Sequence, residues 1–225
     1  MTTPPARKAA GWPAAVLWDM DGTLVDTEPY WFEAEFELAA DYGFPWSEAQ
    51  ALAMVGNPLP VSAAEMIEQF RLDATPEQIV DQLLDAVVER IERVVPFRPG
   101  ALELLAELAE HDIPCGLVTM SYQRFVAPVL SALPEGTFAT VVTGETVEHG
   151  KPHPEAYLTA ATRLGVRADD CVAIEDSDPG ATSAAAAGCA VLVVPHHVPV
   201  PPGPSRSFAS SLSGVDVPGL RALRS

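Results

Sequence analysis

The chain has 225 residues, 48% of them hydrophobic and 20% charged, and its 31 acidic side chains against 13 Lys and Arg leave a formal charge of −18. That balance excludes a disordered chain and fits a globular protein with a substantial core plus a smaller appended domain. So acidic a chain repels the phosphate backbone of nucleic acid, and no nucleic-acid partner is expected. The N-terminal MTTPPARKAAGW carries no apolar signal core, and no apolar run approaches membrane-spanning length, so no membrane partner is expected either. Cys115, Cys171 and Cys189 lack metal-ligand spacing and lie in or beside apolar strand-like runs. Reduced core thiols and a cytoplasmic location follow as expectations.

In chain order, AVLW (15–18) reads as the first strand and ends at Asp19. Residues 27–96 then hold only helix-like material, in the segments EPYWFEAEFELAADYG, VSAAEMIEQF and PEQIVDQLLDAVVERIERVV. The last is the clearest: Thr75, Pro76 and Gln78 resemble a capping box, and Ile79, Leu83, Val87 and Ile91 make one apolar stripe. Trp31, Phe32 and Phe36, at helical spacing, are expected in the core of this insertion.

Beyond it, strands and helices alternate. CGLVT (115–119), FATVV (138–142), CVAIE (171–175) and AVLVV (190–194) read as strands. ALELLAELAEH, RFVAPVLSAL, EAYLTAATRLG and GATSAAAAG read as helices. Such alternation predicts an α/β fold with a parallel sheet covered by helices. The expected domains are a core of residues 1–26 plus 97–225 and a helical insertion of residues 27–96. The tail VPVPPGPSRS (198–207) holds too many prolines for helix or strand and is expected as an extended strap or a loose segment.

In open parallel sheets ligands collect at the carboxyl ends of the strands. Asp19 and Asp21 end the first strand, Thr119 ends CGLVT, Glu175 and Asp176 end CVAIE, and Lys151 sits in the loop GKPHPEAY before a helix. If the strands are neighbours, these groups converge. Carboxylates alone repel one another, so a hard divalent cation, Mg²⁺, is the expected neutraliser for an all-oxygen set. Lys151 and helix N-termini would then bind a phosphate. Phosphoryl transfer explains why two carboxylates are kept at a buried strand end. One can attack phosphorus to form an aspartyl phosphate. The other, two residues on, can protonate the leaving oxygen and then deprotonate the hydrolytic water.

DMDGT, VTMS, GKPHPEAY and EDSDPG, in this order and spacing, resemble the four signature motifs of the haloacid dehalogenase superfamily. More narrowly they resemble its phosphatases and phosphoglucomutases with a helical cap after the first motif, over residues 14–195. The resemblance implies a Rossmann-like parallel-sheet core with an inserted cap. It also implies Asp19 as nucleophile and Asp21 as general acid/base, with the Asp21 backbone carbonyl on Mg²⁺. Asp176 would be a metal ligand, with Glu175 bound directly or through water, and Thr119 and Lys151 would hold the phosphoryl group. The acid at Asp21 argues against the dehalogenases, which lack one there.

MVGNPLPVS (54–62) resembles the cap's specificity loop, which makes Gly56 and Asn57 candidate substrate contacts. The family's mutases carry a basic residue just after that glycine and a histidine shortly after the DT of the first motif. Here Gly56 is followed by Asn57, Pro58 and Leu59, and Asp26–Thr27 by Glu28, Pro29, Tyr30 and Trp31. Hydrolysis of a small monophosphate, a sugar or polyol phosphate, by a monomer or weak dimer is therefore expected. A phosphosugar mutase and a non-catalytic phosphate-binding or phospho-acceptor module remain the alternatives. Ser177 is equally a helix cap or a ligand contact. His149 and His153 are expected as surface residues, and His196 and His197 receive no role.

Overall fold

The computed structural model describes residues 12–55 and 57–223. The strands are β1 (Ala15–Trp18), β2 (Cys115–Val118), β3 (Thr140–Val142), β4 (Cys171–Glu175), β5 (Ala190–Val193) and β6 (Arg206–Phe208). The helices are α1 (Glu28–Asp41), α2 (Glu48–Met54), α3 (Leu59–Phe70), α4 (Pro76–Arg93), α5 (Ala101–Glu110), α6 (Gln123–Ser131), α7 (Glu155–Leu164), α8 (Asp178–Ala186) and α9 (Val217–Ala222). The chain forms two compact units: one of Thr27–Pro96 with Arg124–Ala132, and one of the remaining segments.

The larger unit is built on one parallel sheet in the order β3-β2-β1-β4-β5-β6. Every residue of β1, β2 and β4 is buried, which explains why these strands read as unbroken apolar runs rather than alternating ones. α7 and α8 pack on it through small residues, Ala156, Ala160, Ala161, Ala181 and Ala184, all in one core cluster with Leu17, Val118 and Ala173. β1 lies between β2 and β4, with Trp18 in register with Leu117 on one side and Ile174 on the other. The chain therefore runs outward through β2 and β3, then returns to place β4 on the opposite flank of β1. That reversal brings the carboxyl ends of β1, β2 and β4 together.

The tail departs from expectation. Pro199, Pro201, Pro202 and Pro204 precede Ser205, so Arg206–Phe208 has the amide groups a ladder needs and joins the free edge of β5 as β6. The Arg206 guanidinium fastens the strap, donating to Asp178 Oδ1 (2.7 Å), the Pro201 carbonyl (2.9 Å) and the Thr182 hydroxyl (2.7 Å). α9, capped by Asp216 on the Gly219 N–H, has no counterpart in the sequence reading.

In the smaller unit α4 begins at the Thr75–Gln78 capping box and buries Ile79, Leu83, Val87 and Ile91. Arg90 on α4 binds Glu33 (2.9 Å) and Glu37 (2.6 Å) on α1, and Arg124 on α6 reaches Asp81 and Asp85 on α4 (3.3 Å each). Trp31 meets Phe125 edge-on, Phe36 is exposed, and Phe44 and Trp46 pack on Phe70. Glu35 is the anomaly: it is 6% exposed, and its carboxylate accepts from Trp46 Nε1 (3.2 Å). Burial raises its pKa to about 7, against the Trp46 hydrogen bond that lowers it, with Glu28 adding repulsion.

The folded protein thus binds a proton at Glu35 that the unfolded chain releases near pH 4.5, so this contribution to stability is lost as pH rises from there through 7. Glu35→Gln keeps an acceptor for Trp46 without the charge. Its stability relative to the parent, from urea denaturation, should rise over that window and level off at about 1–2 kcal/mol after allowance for solvent screening. A flat difference across pH would contradict this.

Candidate active site

Asp19 stays in the β-ladder one residue past β1, its N–H on the Ile174 carbonyl at 3.0 Å. The chain then turns: Gly22, Leu24 and Val25 close a tight loop of backbone hydrogen bonds around Met20. Gly22 has φ +82°, and a Cβ there would lie 2.1 Å from Asp176 Oδ2. Only glycine permits both that backbone and the approach of the β4 carboxylate to the β1 loop. Thr23 donates to the other oxygen of Asp176 at 3.4 Å.

Lys151 joins the strand ends. Its Nζ lies 2.5 Å from Asp19 Oδ1, 2.6 Å from Glu175 Oε1 and 2.9 Å from the Val118 carbonyl, which uses all three ammonium protons. Asp19 is 8% exposed, Glu175 fully buried, and the Lys151 side chain 7% exposed. Glu175 has both oxygens engaged: Oε1 also accepts from the Tyr157 hydroxyl at 2.6 Å, and Oε2 from the Ser177 hydroxyl at 3.1 Å. Ser177 meanwhile accepts from the Gly180 N–H and so caps α8, the first of the two readings its position allowed. A Cβ on Gly180 would stand 2.0 Å from Glu175 Oε1, which explains the glycine at this helix start.

Thr119 is buried at the end of β2, its hydroxyl accepting from the Ser121 N–H at 3.0 Å. The Ser121 hydroxyl donates to Asp21 Oδ2. The structure therefore groups Asp19, Lys151, Glu175 and Asp176, and joins Asp21 to Thr119 through Ser121. Asn57 belongs to the smaller unit, exposed just before α3, its N–H on the Met54 carbonyl. Gly56 lies outside the described residues. Two contributors escaped the sequence reading, Tyr157 and Ser121. Both stand inside the quoted motifs GKPHPEAY and VTMS, and a tyrosine on the buried face of α7 was the available signal.

Three carboxylates around one ammonium set the electrostatics. Burial raises the pKa of Asp19 well above the ordinary carboxylate range, opposed by Lys151 and reinforced by Glu175 and Asp176. Burial and Glu175 push Asp176 up to about 7. Burial alone would lower Lys151, but Asp19 and Glu175 outweigh it and hold the ammonium charged. The Tyr157 hydroxyl is held protonated by burial beside Glu175 and Asp19. Carboxylate oxygens of Asp19, Glu175 and Asp176 all lie within 4.8 Å of one another. An all-oxygen set carrying excess negative charge suits a hard divalent cation, so these residues fit Mg²⁺.

Residues 16–194 match the family described as haloacid dehalogenase-like hydrolase. The chain is 30% identical over 191 residues to hexitol phosphatase B of Escherichia coli, covering 80% of this chain and 83% of that one. It is 33% identical over 175 residues to the phosphorylated carbohydrates phosphatase of Thermotoga maritima, covering 77% and 81%. In fold it is similar to CbbY from Rhodobacter sphaeroides, crystallised with phosphate, at a TM-score of 0.78 and 24% identity over 92% of this chain and 98% of that one.

Lys151→Gln removes the charge that separates Asp19 from Glu175 and leaves buried carboxylates uncompensated. In buffer free of divalent ions its unfolding free energy should fall by about 3–5 kcal/mol at neutral pH. Acidification should narrow the gap, because the raised carboxyl groups then take up protons. Unchanged stability by urea denaturation would show that the ammonium does not hold the strand ends together.

Proposed function

The chain belongs to the haloacid dehalogenase-like hydrolases, and from that premise we propose that it is a Mg²⁺-dependent phosphomonoesterase acting through an aspartyl phosphate on Asp19. The observation that carries the reading is the buried Asp19–Lys151–Glu175 arrangement with Asp176 beside it, at the carboxyl ends of β1 and β4.

An Asp19 carboxylate oxygen attacks phosphorus as the bond to the leaving alcohol oxygen breaks. Asp21, protonated, gives its proton to that oxygen. Asp21, now a carboxylate, takes a proton from the water that attacks the aspartyl phosphate, which releases inorganic phosphate and regenerates Asp19. Asp21 is only half-buried, in keeping with a group that must exchange protons with solvent, and the Ser121 hydroxyl orients it. Lys151 offsets the negative charge of the phosphoryl oxygens, and Thr119 supplies a hydroxyl to them.

Asp19, Asp176 and the Asp21 backbone carbonyl would hold Mg²⁺. The ion supplies positive charge against the carboxylates and the phosphoryl oxygens. Both oxygens of Glu175 are already used by Lys151, Tyr157 and Ser177, which favours contact with the ion through water.

The substrate class is a sugar or polyol phosphate. Hexitol phosphatase B and the phosphorylated carbohydrates phosphatase support it through their names, each at 30% identity or more. Thr27–Pro96 serves as the cap that selects the leaving group, with Gly56 and Asn57 in its specificity loop, and the absence of a basic residue after Gly56 supports hydrolysis over a mutase reaction. Three buried reduced cysteines suit the reducing cytoplasm, and among the described residues no helix is long and apolar enough to cross a membrane.

The test is phosphate release from hexose and hexitol phosphates and from a series of aryl phosphates, with Mg²⁺ and with a chelator. The parent should release phosphate only with the ion. Asp21→Asn should lose about 10²–10⁴-fold on alkyl phosphates and far less on aryl phosphates whose leaving oxygen needs no proton. Equal loss across the series would remove Asp21 as the acid. Isomerisation of a hexose phosphate without phosphate release would establish the mutase instead.

A further inference from the structure

A second group of metal-binding side chains lies in the larger unit, apart from the Asp19 cluster. Asp26 is the last residue of that unit before the chain enters the smaller one. His196 and His197 follow β5 in the loop VPHHVP. The two imidazoles, adjacent in sequence, turn the same nitrogen to the same oxygen: Nε2 of His196 lies 3.0 Å from Asp26 Oδ1, and Nε2 of His197 lies 3.5 Å away. Their ring centroids are 3.8 Å apart. Nothing in the phosphatase mechanism uses these residues.

Asp26 Oδ1 and His196 Nε2 are shielded from solvent, and despite their 3.0 Å separation neither has a partner at hydrogen-bonding angles. The carboxylate oxygen stands off the axis along which the imidazole N–H would point. A tetrahedral ion bound at about 2.0–2.1 Å spaces its ligand atoms about 3.3 Å apart, between the 3.0 and 3.5 Å separations found here.

The group His149, His153 and Glu155 provides the contrast. There the carboxylate already accepts from the N–H groups of Glu148 and His149 and from the His149 ring, which explains that cluster without an ion.

We propose that Asp26, His196 and His197 form a second divalent-metal site, selective for a borderline ion of the zinc class over Mg²⁺, that ties the end of the β1 loop to the loop after β5. Two imidazoles and one carboxylate are a poor set for Mg²⁺ and a good one for Zn²⁺. Three protein ligands leave a fourth position on a tetrahedral ion for water. The Arg98 guanidinium is the neighbouring positive charge and acts against the ion, but it is engaged on the Gly22 carbonyl. The site is independent of the phosphatase chemistry, which uses none of its ligands.

Tag-free, metal-stripped protein is dialysed against Zn²⁺ in the presence of millimolar Mg²⁺, which occupies the carboxylate site, and bound zinc is counted. Co²⁺ titration follows the visible d–d absorption of a nitrogen-ligated ion. The parent should bind one equivalent of Zn²⁺ that His196→Ala/His197→Ala lacks, with loss of the Co²⁺ absorption. Asp26→Asn, which keeps size and removes charge, should weaken binding at least tenfold. His149→Ala/His153→Ala should retain the equivalent. Circular dichroism and Mg²⁺-dependent phosphate release check that each variant is folded. Equal zinc in the parent and the His196/His197 variant, or loss on changing His149 and His153, would overturn the proposal.

Discussion

The charge of one lysine holds three strand ends in a single site. Lys151 touches Asp19 after β1, the Val118 carbonyl on β2 and Glu175 on β4, so its three protons bridge the central strand and both of its neighbours. Without that ammonium, the buried Asp19 and Glu175 and the half-buried Asp176 would be three clustered carboxylates lacking its charge. The cost of desolvating them would oppose the fold that makes them useful. The sheet order supplies the rest, because reversal at β1 is what places β2 and β4 on either side of Asp19.

Around that charge the fold spends glycine and small residues where a larger side chain would block an approach. Gly22 admits Asp176, and Gly180 admits Glu175. The alanines of α7 and α8 let those helices sit close on the sheet, which brings Tyr157 to Glu175 and Ser177 to its other oxygen. Glu175 is thereby fixed at both oxygens with Lys151 on one of them, whereas Asp19 meets Lys151 through one oxygen alone.

Much of this was legible because chemistry-bearing residues followed the apolar runs of β1, β2 and β4. β1, β2, β4 and β5 were each visible as unbroken apolar stretches, and the Thr75–Gln78 box and the stripe Ile79–Leu83–Val87–Ile91 announced α4. What escaped depended on contacts between distant segments. β6 is three residues long and exists because β5 has a free edge, while the prolines before it argued against any strand. Tyr157 reads as an ordinary core aromatic until Glu175 is placed over it, and Ser121 becomes informative only when β1 and β2 are neighbours. His196 and His197 carried no signal of their own, since their partner Asp26 lies far away in the sequence.

The central claim is that Asp19 becomes covalently phosphorylated, and it can be observed directly. Asp21→Asn leaves the nucleophile in place while slowing attack of water on the intermediate. Mixed with an aryl phosphate and Mg²⁺, quenched in acid and digested, it should yield the peptide containing VLWDMDGTLVDTE (16–28, with asparagine at 21) carrying one phosphoryl group on Asp19, detected by mass spectrometry. Asp19→Asn in the same experiment should yield none. Turnover of the aryl phosphate with no modified peptide at any quench time, or a phosphoryl group on another residue, would contradict the account.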